Sequence, residues 1–293
     1  MDGVQPLDLK LAIPSEVEQS PVTQITDQID SSALERYNKY ITASSATPFA
    51  AFLAAYNLLL YKYSAQNSFA VGAPLTQRSV TQLQEVIGFF TNVLPIRTTI
   101  DEEATFAEYL ETFRYDLATD LSNDDVTLED IVSHTTTSSQ DRSYFKHLFS
   151  PSGPNVRIAN RSGTPDITAV VVSLPNDEEK YELSLTAHHE TGEVTLRFDK
   201  YSCTEGAARR FLDAYCGLIN ILGRNPHVKI GDVSVVGHKE QYRLAKELPT
   251  YGPVNPVEGE SHRLAEVQAE RTTTAHQSHP FNCYTCRPSN QVG

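Results

Sequence analysis

Five places in the sequence hold side chains whose types and spacing could do chemistry. Asn92 and Arg97 interrupt the otherwise apolar run Phe89–Thr98. In a buried strand, such groups read as a polar core in which the amide bonds a neighbouring element and the guanidinium pairs with a carboxylate. Asp125 and Glu129 are four apart, so on a helix they share a face, where capping and solvated charge is the favoured reading. His188 and His189 are adjacent, but Ser184–His188 and Val194–Phe198 alternate like two strands around a turn. Adjacent strand residues point to opposite faces, so the two imidazoles are expected not to act as a unit. Near the C-terminus His276, His279, Cys283 and Cys286 have the spacing H-x2-H-x3-C-x2-C. These are tetrahedral zinc ligand types, but no folding signal surrounds them and Pro280 makes a compact site awkward, so no metal is expected. Cys203 and Cys216 read as small buried apolar residues.

The elements that must position these residues are partly legible. Residues 31–41 suggest a short helix. Thr47 as N-cap and Pro48 at the first helical position open a clear amphipathic one, with Phe49, Phe52, Leu53, Tyr56, Leu59, Leu60 and Tyr63 at threes and fours. Phe69–Pro74 reads as a short strand ending at a turn, Thr81–Val86 as a brief helix, Phe89–Thr98 as a buried strand and Thr105–Leu121 as a helix. A short helix is expected over Asp124–His134, a loop over 150–166, and a β-branched strand over Thr168–Leu174. Glu182–Phe198 reads as a hairpin turning around Glu190-Thr-Gly. Thr204 caps a helix over Glu205–Leu222, which Gly223 should stop, with Pro226 following. Leu9, Leu11 and Ile13 alternate and could form one strand; the rest of 1–46 is polar and irregular. Strands and helices intermix, so the class is α/β (α+β).

Composition narrows the function classes. About 45% of the 293 residues are apolar once glycine is counted, enough for a sizeable core. Acids outnumber bases 37 to 24, a formal charge of −13 with no basic stripe, which argues against nucleic acid. The longest apolar stretch, Phe49–Leu60, is too short to span a bilayer, and the N-terminal residues lack a signal peptide's order. A soluble, intracellular, cytoplasmic protein without a membrane partner is expected. There is no Walker or Rossmann phosphate loop and no G-x-S-x-G elbow.

Several segments, in order, resemble the condensation domain of nonribosomal peptide synthetases. From Pro48 to Arg78 an apolar helix leads into Tyr63-Ser-Ala-Gln-Asn and then Val71-Gly-Ala-Pro, where the family typically shows YSGQ and VGTPVAGR. Ile87–Arg97, IGFFTNVLPIR, is similar to the family's fifth core motif, IGxFVNTLxxR, with Gly88, Phe90, Asn92, Leu94 and Arg97 all fitting. Asn123-Asp-Asp-Val-Thr-Leu-Glu resembles a degraded sixth motif, [HN]QDxPFE; it keeps Asn123, Asp125 and Glu129 but has Thr127 and Leu128 for Pro and Phe. Asp141–Phe149 stands where the seventh motif ends in PLF. His262–Thr272 resembles the opening of the adenylation domain that usually follows.

The resemblance implies a lobe similar to chloramphenicol acetyltransferase, a mixed β-sheet with packed helices. It divides the chain into a C-terminal condensation lobe at 1–247, a linker with an adenylation-like start at 248–272, and a disordered tail at 273–293. The family's catalytic HHxxxDG motif belongs to the other, N-terminal lobe. His188-His-Glu-Thr-Gly-Glu-Val comes near it but has Glu193 for Asp and Val194 for Gly, so no catalytic residue is assigned. The expectation is a truncated piece of an acyltransferase of secondary metabolism, forming amide bonds between carrier-bound thioesters and inactive alone. Asn92 would face the tunnel between lobes, with Gly88, Phe90, Arg97, Asn123, Asp125 and Glu129 as motif-matching neighbours. No cofactor is expected to bind directly; substrates would arrive on phosphopantetheine arms. The implied partners are the N-terminal lobe, peptidyl carrier proteins and an adjacent adenylation domain. The alternative is a non-catalytic module that docks a carrier protein or a complementary half.

Overall fold

The computed structural model describes residues 7–9, 11, 24–76, 86–88, 90–122, 130, 145–151, 181–199 and 201–236. All lie within the first of the two units into which the chain divides, Met1–Gly237. The expected helices at 81–86 and 124–134, apart from Val86, which is not helical, and Asp130, which is, lie outside the described residues, as do the strand at 168–174, most of the loop at 150–166, the linker, the tail and its His/Cys set.

The elements are β1 (Gln24–Gln28), α1 (Ser31–Ala43), α2 (Pro48–Ser64), β2 (Ser68–Thr76), β3 (Thr91–Thr99), α3 (Phe106–Leu121), β4 (His147–Pro151), β5 (Leu183–Ala187), β6 (Glu193–Phe198) and α4 (Glu205–Arg224). The six strands form one mixed sheet in the order β1-β6-β5-β4-β2-β3. β4 runs parallel to both β2 and β5, and the other neighbours are antiparallel. The mixed sheet with packed helices matches the expected fold class.

Local chemistry sets the helix starts. The side chains of Asp30, Thr47, Thr105 and Thr204 each accept a hydrogen bond from an N–H of the first turn. At α3 the cap is reciprocal: Glu108 accepts from Thr105 N at 2.8 Å while Thr105 Oγ1 accepts from Glu108 N at 3.3 Å. α2 departs from the amphipathic expectation. Every residue from Ala50 to Leu60 is buried, because α1, α3 and α4 surround the helix and β4 lies against it. Its Tyr56 ring meets Phe149 of β4 at 5.8 Å and Phe211 of α4 at 6.2 Å.

Several expectations need correction. β2 does not end at Pro74 but runs to Thr76, paired with β3 along its whole length. The proline is tolerated because, among the described residues, the β2–β4 ladder consists of the single pair Gly72↔Leu148, so a missing N–H at Pro74 breaks no ladder on that side. Gly223 does not stop α4, which continues to Arg224; it is where α4 crosses α1, and a Cβ there would meet Tyr37 N at 3.1 Å and Ala33 O at 3.2 Å. Leu9 and Leu11 are not in a strand, although Leu9 is buried; Ile13 lies outside the described residues. β1, with Ile25 its one buried residue, and β4 were not expected at all.

Among the described residues no single helix is long and apolar enough to cross a membrane.

Candidate functional site

β3 is an edge strand of the described sheet, and the motif-like residues gather on and before it. The strand is not buried throughout, against expectation: Leu94–Ile96 are buried together, and burial alternates only from Ile96 to Thr99. Leu94, Ile96 and Thr98 are buried, while Thr91, Arg97 and Thr99 are exposed. Pro95 is accommodated because the strand has only one described neighbour. Asn92 shares the parity of Leu94 and Ile96 and is half-buried; Arg97 has the opposite parity. The structure therefore does not bring Asn92 and Arg97 together. They lie on opposite faces, about 17 Å apart along the strand. Arg97 lies near enough to Asp120 of α3 for its charge to act on that carboxyl. Partial burial and then Asp116 raise the Asp120 pKa, and Arg97 pulls it back. Gly88 is exposed and Phe90 half-buried; a Cβ on Gly88 would come within 2.9 Å of the Phe90 ring. Asn123, Asp125 and Glu129 lie outside the described residues.

A chain of buried polar groups pins the C-terminal end of β3. Thr98 Oγ1 and Tyr109 Oη of α3 share a 2.6 Å hydrogen bond, and Asn57 Nδ2 of α2 donates to the same phenol at 3.3 Å. Burial pushes the Tyr109 phenol up to about 12, against the pull of its two hydrogen bonds, so it stays protonated. Thr98, Thr99, Asp101, Tyr109, Phe113 and Asp116 line a pocket of about 220 Å³ between β3 and α3. Sequence reading missed this chain. The signal was Asn57, a lone polar residue inside the apolar helix, and it goes unread until a partner is known.

The histidine pair lies elsewhere. His188 and His189 follow β5, in the turn to β6 rather than within a strand. Their rings are therefore not on opposite faces but near-parallel, 6.2 Å apart with 19° between planes. His188 Nδ1 accepts from the Glu190 and Thr191 amides, each at 3.3 Å, which closes the turn; its Nε2 is buried without a partner among the described residues. Gly192, at φ +77°, completes the turn, as glycine readily does. Gln28 Nε2 donates to Thr191 O and ties it to β1.

A second histidine, His147 of β4, is fully buried, with both ring nitrogens unpartnered among the described residues. Glu182, its nearest acid, lies 3.9 Å away and is held by Lys146 at 3.0 Å. Burial lowers the His147 pKa to about 3, so the ring is neutral. Burial likewise raises the Cys203 and Cys216 thiols to about 11 and about 12, in keeping with inert core cysteines, although Cys216 is only half-buried. No group of three or more metal-ligand side chains occurs among the described residues.

Comparison with known proteins places these features in a family. Residues 5–245 match the family model described as the condensation domain. Tyrocidine synthase 3 of Brevibacillus parabrevis is 24% identical over 246 residues, 81% of this chain but 4% of that protein. The condensation domain from monacolin K polyketide synthase superposes with a TM-score of 0.63 at 19% identity, covering 78% of this chain and 55% of that one. A four-domain nonribosomal peptide synthetase bound to AMP and glycine gives 0.68 at 14% identity, over 80% of this chain and 19% of that one. The chain thus spans a small part of the multidomain relatives and about half of a condensation domain solved alone.

Proposed function

The chain belongs to the condensation-domain family, and from that premise we propose that it acts as the C-terminal lobe of a nonribosomal peptide synthetase condensation domain. The observation that carries the reading is the match across residues 5–245, in which the TNVLPIR part of the motif-like segment lies on β3 with Asn92 half-buried and Arg97 at an exposed position. The reaction is amide formation. An aminoacyl amine on one carrier attacks the thioester carbonyl of an acyl or peptidyl group on another. The C–N bond forms, the C–S bond breaks, and the proton lost by the amine ends on the departing thiolate. Both substrates are carried on phosphopantetheine arms of neighbouring carrier domains, which places carriers, an adenylation domain and an N-terminal lobe among the partners.

A general base or amine-orienting group is needed for the proton. The one adjacent histidine pair in this sequence is His188–His189, and His188 Nδ1 is occupied by two turn amides. As the family resemblance implies, we assign the base to the HHxxxDG motif of a complementary lobe, with this chain contributing a wall of the tunnel through β3.

Complementation tests the reading. The chain is mixed with a separately produced HHxxxDG-bearing lobe and two loaded carrier domains, and the amide product is followed by mass spectrometry. Product from the mixture, and none from either half, is the expected result. Stable docking without product at any carrier concentration would favour a non-catalytic docking module instead.

A further inference from the structure

Where Gly223 brings α4 close to α1, two arginines converge on one atom. Arg36 of α1 donates through Nη2 to Asn220 Oδ1 at 2.9 Å, and Arg224 of α4 donates through Nε to the same oxygen at 3.1 Å. Those two distances require the donor nitrogens to lie within about 6 Å of each other. The acceptor they share is a neutral amide. Among the described residues the ion pairs join other side chains, and none places a carboxylate within 4.0 Å of Arg36 or Arg224. Asp30 is occupied as the α1 cap, accepting from Ala33 N at 3.0 Å and Ser32 Oγ at 2.5 Å, and Arg36 is the weakest influence on it.

Two guanidiniums at this range repel, and an amide oxygen carries no charge to offset them. Arg224 lies in the last turn of α4, where the helix dipole favours a cation; Arg36 lies in the middle of α1 and has no such offset. Arg36 Nε is buried and makes no hydrogen bond among the described residues. Arg224 is exposed and Arg36 half-buried, which leaves the pair reachable from solvent. Among the described residues, which include many acids, these two arginines stand without a carboxylate within 4.0 Å. Guanidinium forks match the oxygens of phosphate and sulfate groups, and two forks from different helices can bridge one such group.

The geometry points to an oxyanion site formed by Arg36 and Arg224 beside Asn220, taking a phosphate- or sulfate-type group that bridges the two helices. The assignment is independent of the condensation reading, since neither arginine lies on β3 or in a motif-like segment.

Thermal unfolding of the chain, titrated with inorganic phosphate against chloride at fixed ionic strength, tests it. A ligand that binds only the folded state raises Tm saturably. Wild type is expected to show that rise, and acetate to give a much smaller one. Arg224→Gln, at an exposed position, should weaken the apparent affinity at least tenfold. Asn220→Asp places a carboxylate between the arginines; it should raise Tm without phosphate and abolish the phosphate response. The assignment is overturned if wild type shows no saturable rise, or if the response survives in Arg224→Gln and Asn220→Asp. It is also overturned if acetate stabilises as strongly as phosphate, or if Asn220→Asp gains no stability.

Discussion

β5 and β3 belong to the same sheet but live under different constraints. β5 is flanked on both sides, by β4 and β6, and four of its five residues are buried. β3 has nine residues, one described neighbour, a proline in its middle and only four buried positions, Leu94, Pro95, Ile96 and Thr98. The central strands are held by apolar packing; β3 is held by β2 and by the polar chain from Asn57 through Tyr109 to Thr98. The motif-like residues sit on the strand with the less redundant support. A strand that must present side chains to a partner needs an open edge or face, and a few directional hydrogen bonds fix its position without covering it.

The comparison can be broken most forcefully from the central side. Phe149 of β4 is fully buried against Phe49 and Tyr56, so Phe149→Ala should cost about 3–5 kcal/mol in urea unfolding. Val93→Ala, at a half-buried position on β3, should cost less than about 1 kcal/mol. Equal costs would erase the distinction between the regions.

Gly72 of β2 bridges the two regions. A Cβ there would fall 2.1 Å from the Phe145 ring, so Gly72→Ala should destabilise by about 1–3 kcal/mol. The second substitution Phe145→Leu should recover part of that loss in the double mutant, as a shared contact requires.

Acid should weaken the centre through His147. Its folded pKa of about 3 lies below the ordinary 6.5, so the unfolded chain binds more protons between those values. Stability from this group is complete above about pH 6.5 and is lost as pH falls toward 3. About 2 kcal/mol should go between pH 7 and 5. Comparing the urea midpoint across that range in wild type and His147→Leu checks this; an equally steep dependence in the variant would show that other groups carry it.

The polar chain gives the finest test. Tyr109→Phe removes the hydroxyl and leaves Thr98 and Asn57 short of a partner, a loss of about 1–2 kcal/mol. Amide exchange should quicken in β3 while β5 and β6 are unchanged. Uniform quickening would mean that the chain stabilises the whole fold rather than placing β3.

The sequence announced those elements whose signals are local. α2, α3 and α4 carry a threonine cap followed by apolar residues at helical spacing, and the β5–β6 hairpin alternates around a glycine that the turn requires. β1 was hidden because a single buried residue, Ile25, gives no alternation to read. Gly223 was misread because a stop signal and a helix-crossing glycine look the same until the second helix is in place. At the site, the motif segment was legible by resemblance, but not the opposite facing of Asn92 and Arg97, because a strand taken as buried on both sides gives no faces to distinguish. The Asn57–Tyr109–Thr98 chain spans three elements, and no spacing rule connects them.

Hydrogen exchange with and without a separately produced HHxxxDG-bearing lobe addresses the central proposal, that β3 is where this chain would meet such a lobe. Slowed exchange at Thr91–Thr99, with β1 and β6 unaffected, is the predicted result. Binding that protects β1 or β6 and leaves β3 unchanged would contradict it, as would no protection at all.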